Sequence, residues 1–438
     1  MGLDRADTIF ALSSGQGRSA VAIVRLSGPQ VRFALETLCG SVPSVQSARL
    51  RSIRDPKTGG VLDRGIVLFF SGPNSQTGED VGELHCHGGP AVVAAMLRAL
   101  GSLPGLRMAE PGEFARRAVF NGKMDLLDLE GLADLIDAET ERQRVQAIEG
   151  GGSALRDVVE GWRCSLIEVM AAVAVEIDFS DEGDVAERLD SDMERAVDAL
   201  IGELKRALAT AAGGERIRGG VRVAIIGRPN AGKSSVLNAL ARRDVAIVSE
   251  VPGTTRDRID IHLDLDGIPV IVSDTAGLRD SADKIEQEGN RRSRQAAREA
   301  DLVLWLQPVD DVRELPVEFR GDVRVVASKA DLGEAPFSAW CRVSTVAPGG
   351  CDELLGALKR AVEVLVGRTD VALVTRTRQR LRIEAALACL GRARQAGLGI
   401  EFVAEDLRQA SVELDRLVGR IEVDDVLGAI YSRFCIGK

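Results

Sequence analysis

Val221-Arg222-Val223-Ala224-Ile225-Ile226 runs directly into Gly227-Arg228-Pro229-Asn230-Ala231-Gly232-Lys233-Ser234. The first stretch is an apolar run with the length of a buried strand, and residues 235–243 beyond the second read as a helix. The second stretch fits G-x-x-x-x-G-K-[ST], and it does so in the strand–loop–helix setting that this motif requires. Its glycines let backbone N–H groups wrap phosphate oxygens at a helix N-terminus, where the helix dipole favours an anion. Asn230, Ala231, Gly232, Lys233, Ser234 and Ser235 are therefore the expected phosphate cradle. Lys233 is placed to reach the β- and γ-phosphates and the Ser234 hydroxyl to ligate Mg²⁺.

Working downstream, Thr254-Thr255 comes next, then Asp274-Thr275-Ala276-Gly277 closing a strand at 269–273, then Ser328-Lys329-Ala330-Asp331 after a strand at 323–327. Thr255 is the expected switch threonine that completes the Mg²⁺ shell. Asp274 holds the metal through water, and the Gly277 N–H meets the γ-phosphate. Asp331 accepts hydrogen bonds from the guanine N1–H and 2-amino group, which adenine does not offer. Ser344, with Thr345 and Val346 after it, lies where a backbone contact to the guanine O6 is usual. The series predicts a Ras-like P-loop GTPase over 219–368, a doubly wound α/β unit.

Two positions depart from the usual pattern. The guanine-reading motif begins with Ser328 rather than Asn or Thr, which keeps a hydroxyl on a shorter side chain. Leu278 stands where Ras-like proteins carry the glutamine that positions the attacking water. Glu286, on the polar stretch that follows, has two readings from the residues alone: a solvated helix carboxylate or a group that orients water.

On the N-terminal side, short strand-like runs at 20–26, 65–70 and 83–86 alternate with helical stretches at 91–100 and 112–120, an α/β or α+β domain over 1–122. From 123 to 218 the periodicity is helical: Leu126, Leu129, Leu132, Ala133 and Ile136, then Leu166, Val169, Met170 and Val173. Gly213-Gly214 and Gly219-Gly220 read as bracketing a linker. Helices return over 369–438, at 376–396, 400–418 and near 423–434. The expected architecture is multidomain: an N-terminal α/β (α+β) domain, a discontinuous helical domain, and the GTPase as its insertion.

Composition bounds the rest. A net charge of −10 argues against a chain that coats nucleic acid over its whole surface. Aromatics at 3% leave few platforms for base stacking. Seven cysteines without a CxxC pair suit a reducing compartment, and no apolar run is long enough for a membrane span, so a cytoplasmic protein without membrane partners is expected. Only eight of the 56 basic residues are lysines, so each lysine is informative.

Three further segments carry a family likeness. Gly72-Pro73-Asn74-Ser75-Gln76-Thr77-Gly78-Glu79-Asp80, His87-Gly88-Gly89-Pro90, and Pro111-Gly112-Glu113-Phe114 with Asn121-Gly122-Lys123 resemble the N-terminal domain of the MnmE (TrmE) family of tRNA-modification GTPases. Phe434-Cys435-Ile436-Gly437-Lys438 is similar to that family's terminal signature. The likeness covers essentially the whole chain in the same domain order. It implies a homodimer that works with the flavoprotein MnmG on C5 of the tRNA wobble uridine. The N-terminal domain would bind a tetrahydrofolate derivative, the 5,10-methylene or 5-formyl form, through Arg25, Glu83, Lys123 and the terminal Lys438.

The same resemblance implies a K⁺-activated GTPase. Asn230 matches the family's K⁺ ligand, and Ser249, Val251, Gly253 and Thr254 lie on the matching loop. Glu286 matches its catalytic glutamate, joining Lys233, Thr255 and Gly277 as the expected catalytic set. Lys123, Lys233, Lys329 and Lys438, four of the eight lysines, fall at positions assigned to folate or nucleotide.

Weaker signals stay open. His85-Cys86-His87 is either a structural or folate-pocket element or the start of a metal site. Cys435 is either a buried structural thiol or a group near the modification chemistry. The competing functional reading is a regulatory or ribosome-assembly GTPase switch without modification activity, which would have no use for the folate motif and the 435–438 tail.

Overall fold

The computed structural model describes residues 7–150, 152–178, 183–247, 260–274, 295, 297–311, 323–367, 371–395 and 399–419, with backbone only at 178, 183–192 and 274. Contacts divide the chain into two compact units, Met1–Ala133 with Val418–Lys438 and Asp134–Leu417. Among the described residues no helix is long and apolar enough to cross a membrane.

The first unit contains β1 (Thr8–Leu12), β2 (Ser19–Ser27), α1 (Val31–Cys39), β3 (Arg49–Arg54), β4 (Val61–Phe70), β5 (Val81–Gly88), α2 (Pro90–Gly101), β6 (Leu106–Met108), α3 (Glu113–Phe120) and most of α4 (Leu126–Ile136). Its sheet runs β3-β4-β5-β2-β1-β6 and is antiparallel apart from the β1–β6 pair. Alternation along β2 decides its two faces. Ala22, Val24 and Leu26 are buried with Leu84, Phe69 and residues of α1 and α2 in one apolar cluster. Arg25 and Ser27 turn to the opposite face, where Ile9, Ala11, Ala109 and Phe114 form a smaller cluster.

Four elements of this unit, β1, β3, β6 and α1, escape the sequence reading. β1 has four consecutive buried residues and so shows no alternation. β3, Arg-Leu-Arg-Ser-Ile-Arg, buries only Ile53 and reads as a polar loop.

The second unit holds the end of α4, then α5 (Glu141–Glu149), α6 (Gly152–Asp178), α7 (Gly183–Ala209) and α8 (Ala211–Gly219). The strand-rich stretch follows: β7 (Val221–Gly227), α9 (Lys233–Ala241), β8 (Ala246–Ile247), β9 (Asp260–Leu265), β10 (Ile268–Asp274), β11 (Leu302–Pro308), β12 (Val323–Ser328), β13 (Cys341–Val343) and α10 (Asp352–Val366). The helices α11 (Thr377–Ala393) and α12 (Ile400–Val418) come last. The seven-stranded sheet has the order β13-β12-β11-β7-β10-β9-β8. It is parallel from β13 to β10 and antiparallel at β9 and β8. The order reverses at β7, and in open α/β sheets the ligand crevice lies beyond the carboxyl ends of the strands at such a point.

The helices bury stripes at helical spacing, Leu155, Val159, Trp162, Leu166, Val169 and Val173 on α6 and Leu407, Ala410, Leu414 and Leu417 on α12. Helices from both sides of the sheet in the chain touch: Arg163 pairs with Asp415 at 2.7 Å and Arg394 with Asp198 at 2.9 Å.

The stretch read as a linker around Gly213 is instead the helix α8. A Cβ on Gly213 would lie 2.2 Å from the Val366 carbonyl oxygen, and one on Gly214 would lie 2.5 Å from that of Val374. These glycines are there for close helix–backbone approach, not for flexibility. Ile217 of α8 is buried in the same apolar cluster as the sheet's Val223, Leu304 and Val326.

Candidate functional site

The cradle at the end of β7 is built by backbone. Asn230 takes a left-handed conformation at φ 63°, and Gly232, at φ 93°, is the N-cap of α9. Ala231 is fully buried, whereas Asn230, Ser234 and Ser235 face solvent. Lys233 is 9% exposed, and its Nζ donates to the carbonyl oxygens of Gly227 and Arg228, both at 2.9 Å. The ammonium is thus held over the loop, beside the amino end of a helix, where an anion is favoured from two sides.

The base-reading segment is anchored to this cradle. Ser328, at the end of β12 and 1% exposed, donates from Oγ to the Ala231 carbonyl at 2.8 Å, across 97 residues of sequence. The shorter serine therefore keeps a direct tie between base loop and phosphate loop. Lys329 has φ 56° and pairs with Asp310 at 3.2 Å; Ala330 opens a 3-10 turn with Asp331.

Asp331 is exposed and receives a hydrogen bond from the Ser344 hydroxyl at 2.6 Å. The same oxygen accepts from the N–H groups of Val346 and Ala347, both at 3.2 Å. Ser344 thereby fixes the carboxylate and the loop together. Its own N–H, where the guanine O6 contact was expected, donates to the Gly350 carbonyl at 2.9 Å. Thr345 and Val346, the next residues of the loop, are exposed.

The remaining nucleotide and ion positions, Ser249, Val251, Gly253, Thr254, Thr255, Thr275, Ala276, Gly277 and Glu286, lie outside the described residues, as does the side chain of Asp274. Cys435 and Lys438 lie outside them too.

In the N-terminal unit, β2 and β5 set Arg25 directly opposite Glu83. Arg25 Nη2 lies 2.9 Å from Glu83 Oε1, and His85 Nε2 lies 3.0 Å from the other oxygen. Burial alone would raise the Glu83 carboxyl, but the His85 hydrogen bond and the Arg25 charge outweigh it and hold it below the usual range. His87 instead pairs with Asp63 at 2.9 Å, so the two imidazoles do not converge. Among the described residues no cluster of three or more histidine, cysteine or carboxylate groups is placed to hold a metal ion.

Lys123 is exposed, and its Cγ lies against Gly78 in the loop between β4 and β5. That loop is stitched to β2 by Thr77 and Ser27, whose hydroxyls are 2.7 Å apart, and to Asn121 through the Thr77 carbonyl at 2.7 Å. Lys123 and Ser27, two residues from Arg25 along β2, thus meet the same loop.

The family motifs beside them act differently from what a ligand site would need. Arg117, 3% exposed, lies 2.7 Å from Asp7, 3.1 Å from Glu79 and 3.1 Å from Glu113. Arg107 pairs with Glu113 at 2.6 Å. Glu79 also accepts from Ser27 at 2.7 Å. The glutamates of Gly72–Asp80 and of Pro111-Gly112-Glu113-Phe114 are thus members of a buried ion cluster that fixes the loop. Arg117 carried no signal that would have singled it out among the arginines.

Residues 126–435 match the family model described as the MnmE helical domain, and residues 8–123 match the one described as the GTP-binding protein TrmE N-terminus. A tRNA modification GTPase MnmE of Beijerinckia indica is 48% identical over 99% of this chain and 96% of its own length. One of Methylobacterium sp. (strain 4-46) is 50% identical over 99% of this chain and 100% of its own. With a phosphate cradle tied to a guanine-reading loop, and likeness over essentially its full length, the chain belongs to the MnmE family.

Proposed function

We propose that this chain is the GTP-hydrolysing component of a tRNA-modification system. The single observation that carries the reading is the Ser328–Ala231 hydrogen bond, which joins the Lys233 cradle and the Ser344-anchored Asp331 into one site for phosphates and guanine. The chain is a GTP hydrolase that acts in tRNA modification, and family membership supports that assignment. Ser344, Thr345 and Val346 form the loop beside the guanine.

The finer reading is a K⁺-activated homodimeric GTPase in the cytoplasm. With the flavoprotein MnmG it uses a one-carbon tetrahydrofolate to modify C5 of the wobble uridine. The domains are 1–122 for folate and dimerisation, 219–368 for GTP, and a helical domain from 123–218 and 369–438. Ser234 and Thr255 hold Mg²⁺, with Asp274 behind them. Asn230, Ser249, Val251 and Thr254 hold K⁺, and Glu286 orients water. The outward-facing Asn230 and Ser234 at the mouth of the cradle fit those tasks. The two cations neutralise charge developing on the phosphates. Arg25, Glu83, Lys123 and Lys438 bind the folate, and the polar Arg25–Glu83–His85 chain on the sheet face fits a ligand with both donors and acceptors.

The test is GTP hydrolysis in KCl against NaCl at equal ionic strength. A K⁺-specific rise on the order of 10²–10³-fold is expected. Equal slow rates in both salts would remove the K⁺ mechanism and favour the regulatory-switch reading.

A further inference from the structure

Residues 134–146, at the join of α4 and α5, grip the seven-stranded sheet unit in two separate places. The first is its root. Asp134 Oδ1 accepts from Arg218 Nε at 2.7 Å and from Arg376 Nη2 at 2.6 Å. Arg218 lies in α8 just ahead of β7, and Arg376 is the N-cap of α11. One carboxylate therefore pins the chain where it leads into the sheet and where it leads back to the helices. Gln143 and Gln146 add hydrogen bonds to the carbonyls of Arg218 and Gly214, at 3.2 and 3.0 Å.

The second grip is on the β9–β10 hairpin. Asp266 and Gly267 form its two-residue turn with φ 56° and 84°, the geometry that Asp-Gly favours. The Gly267 carbonyl accepts from the Arg142 N–H at 3.3 Å, and Glu139 Oε2 lies 2.7 Å from His262 Nδ1 of β9. In sequence β9 begins at Asp260, shortly after the switch threonine position Thr255. Gln143 links the two grips. Its Oε1 accepts from the N–H of Glu139 and Thr140 at the start of α5, while its Nε2 holds Arg218.

At the root lies a cavity of about 70 Å³ lined by Asp134, Asp137, Gln143, Gln146, Arg218 and Thr375. The Glu139–His262 pair is about one third exposed on each side, so it adds little to stability. Its effect is on orientation. A shift of β9 with nucleotide state would reach α5 through this pair, beside the Arg142–Gly267 hydrogen bond.

We propose that residues 134–146 are the transmission element of this GTPase, with Glu139 the positioning residue that reads β9 and Asp134 the pin at the root. The proposal rests on the reading of the chain as a GTPase that drives tRNA modification. Coupling of this kind requires contacts that differ between two states.

The experiment compares full-length wild type, Glu139→Ala, His262→Ala and Glu139→Gln. Hydrogen exchange of the α5 amides is measured with GDP and with a non-hydrolysable GTP analogue, beside basal GTP hydrolysis and wobble-uridine modification in cells. In wild type, exchange over 141–149 should differ between the nucleotides. Glu139→Ala and His262→Ala should erase that difference and cut modification about tenfold, with basal hydrolysis unchanged within about twofold. Glu139→Gln, which keeps an acceptor for the imidazole N–H, should retain both. Equal α5 exchange in the two states of wild type, or a difference that survives Glu139→Ala, would overturn the proposal. A wild type that hydrolyses no GTP would instead overturn the functional reading on which it rests.

Discussion

The phosphate cradle of the second unit and the ion cluster of the first both hold charge against an apolar core, by opposite means. Residues 227–234 do it with main chain, a left-handed Asn230 and Gly232, a helix N-terminus, and a single lysine resting on two carbonyls. The first unit does it with side chains, where Arg117 and Arg107 share Asp7, Glu79 and Glu113 at 2.5–3.1 Å. A main-chain cradle leaves its charge demand open for a ligand. A closed cluster of side chains meets that demand internally and becomes part of the scaffold. Glu79 and Glu113 therefore belong to the scaffold, beside the Arg25, Glu83 and Lys123 proposed above to meet a ligand.

That contrast predicts effects in different observables. Arg117→Met strips a buried cation from three carboxylates, an expected loss of about 3–5 kcal/mol of stability. Thermal unfolding should show it, with GTP affinity unchanged. A loss below about 1 kcal/mol would mean that the cluster does not hold the loop. Lys233→Ala should do the reverse, leaving the melting temperature close to wild type and lowering GTP turnover on the order of 10²–10³-fold. Steady-state hydrolysis checks it, and a variant that lost stability but kept turnover would erase the distinction.

The same contrast decides what the sequence could reveal. The cradle is legible because its parts are consecutive, so that spacing alone carries the geometry. The cluster is not, because Arg117 and Asp7 are 110 residues apart and both look like generic surface charge. The glutamates were visible as motif letters, but their partners were not. Around the base the boundary falls between two functions of one residue. Asp331 was readable from its motif, whereas its support by the Ser344 hydroxyl across 13 residues depends on how β13 leads into its loop. α8 was misread because glycine pairs signal breaks in a one-dimensional pattern, and only the approach of Val366 and Val374 shows why these are helical. The transmission contacts at Asp134 and Glu139 had no signal of any kind, since single carboxylates after an apolar helix are unremarkable in sequence.

A pH series sharpens the scaffold side. Burial raises the Glu113 carboxyl, but hydrogen bonds from Arg107, the Glu110 N–H and Arg117 overcome that and bring it from 4.5 to about 2. Since the folded value is depressed, its stabilisation is complete above the unfolded value of 4.5 and is lost as pH falls toward about 2. At pH 6 the wild type should exceed Glu113→Gln in stability by on the order of 3 kcal/mol, narrowing below about pH 4.5. Denaturant midpoints for both proteins at several pH values measure it. A gap independent of pH would show that Glu113 acts by shape and not by charge.

The smallest effect belongs to Ser328, where the two strategies meet, since a side chain supports a main-chain cradle. Removing its hydroxyl in Ser328→Ala leaves the buried Ala231 carbonyl without that donor, at a cost of about 1–3 kcal/mol shared between folding and nucleotide binding. GDP affinity, measured with a fluorescent analogue, should fall about tenfold, with Lys233 still in place. Ser328→Asn restores a donor on a longer arm and should stay within about threefold of wild type. Equal affinity in Ser328→Ala would mean that the cradle holds its shape by main chain alone, and the serine would then be a spacer between the two loops. A loss repaired by asparagine would instead show that any hydrogen-bond donor within reach of the Ala231 carbonyl is sufficient to tie guanine recognition to phosphate binding.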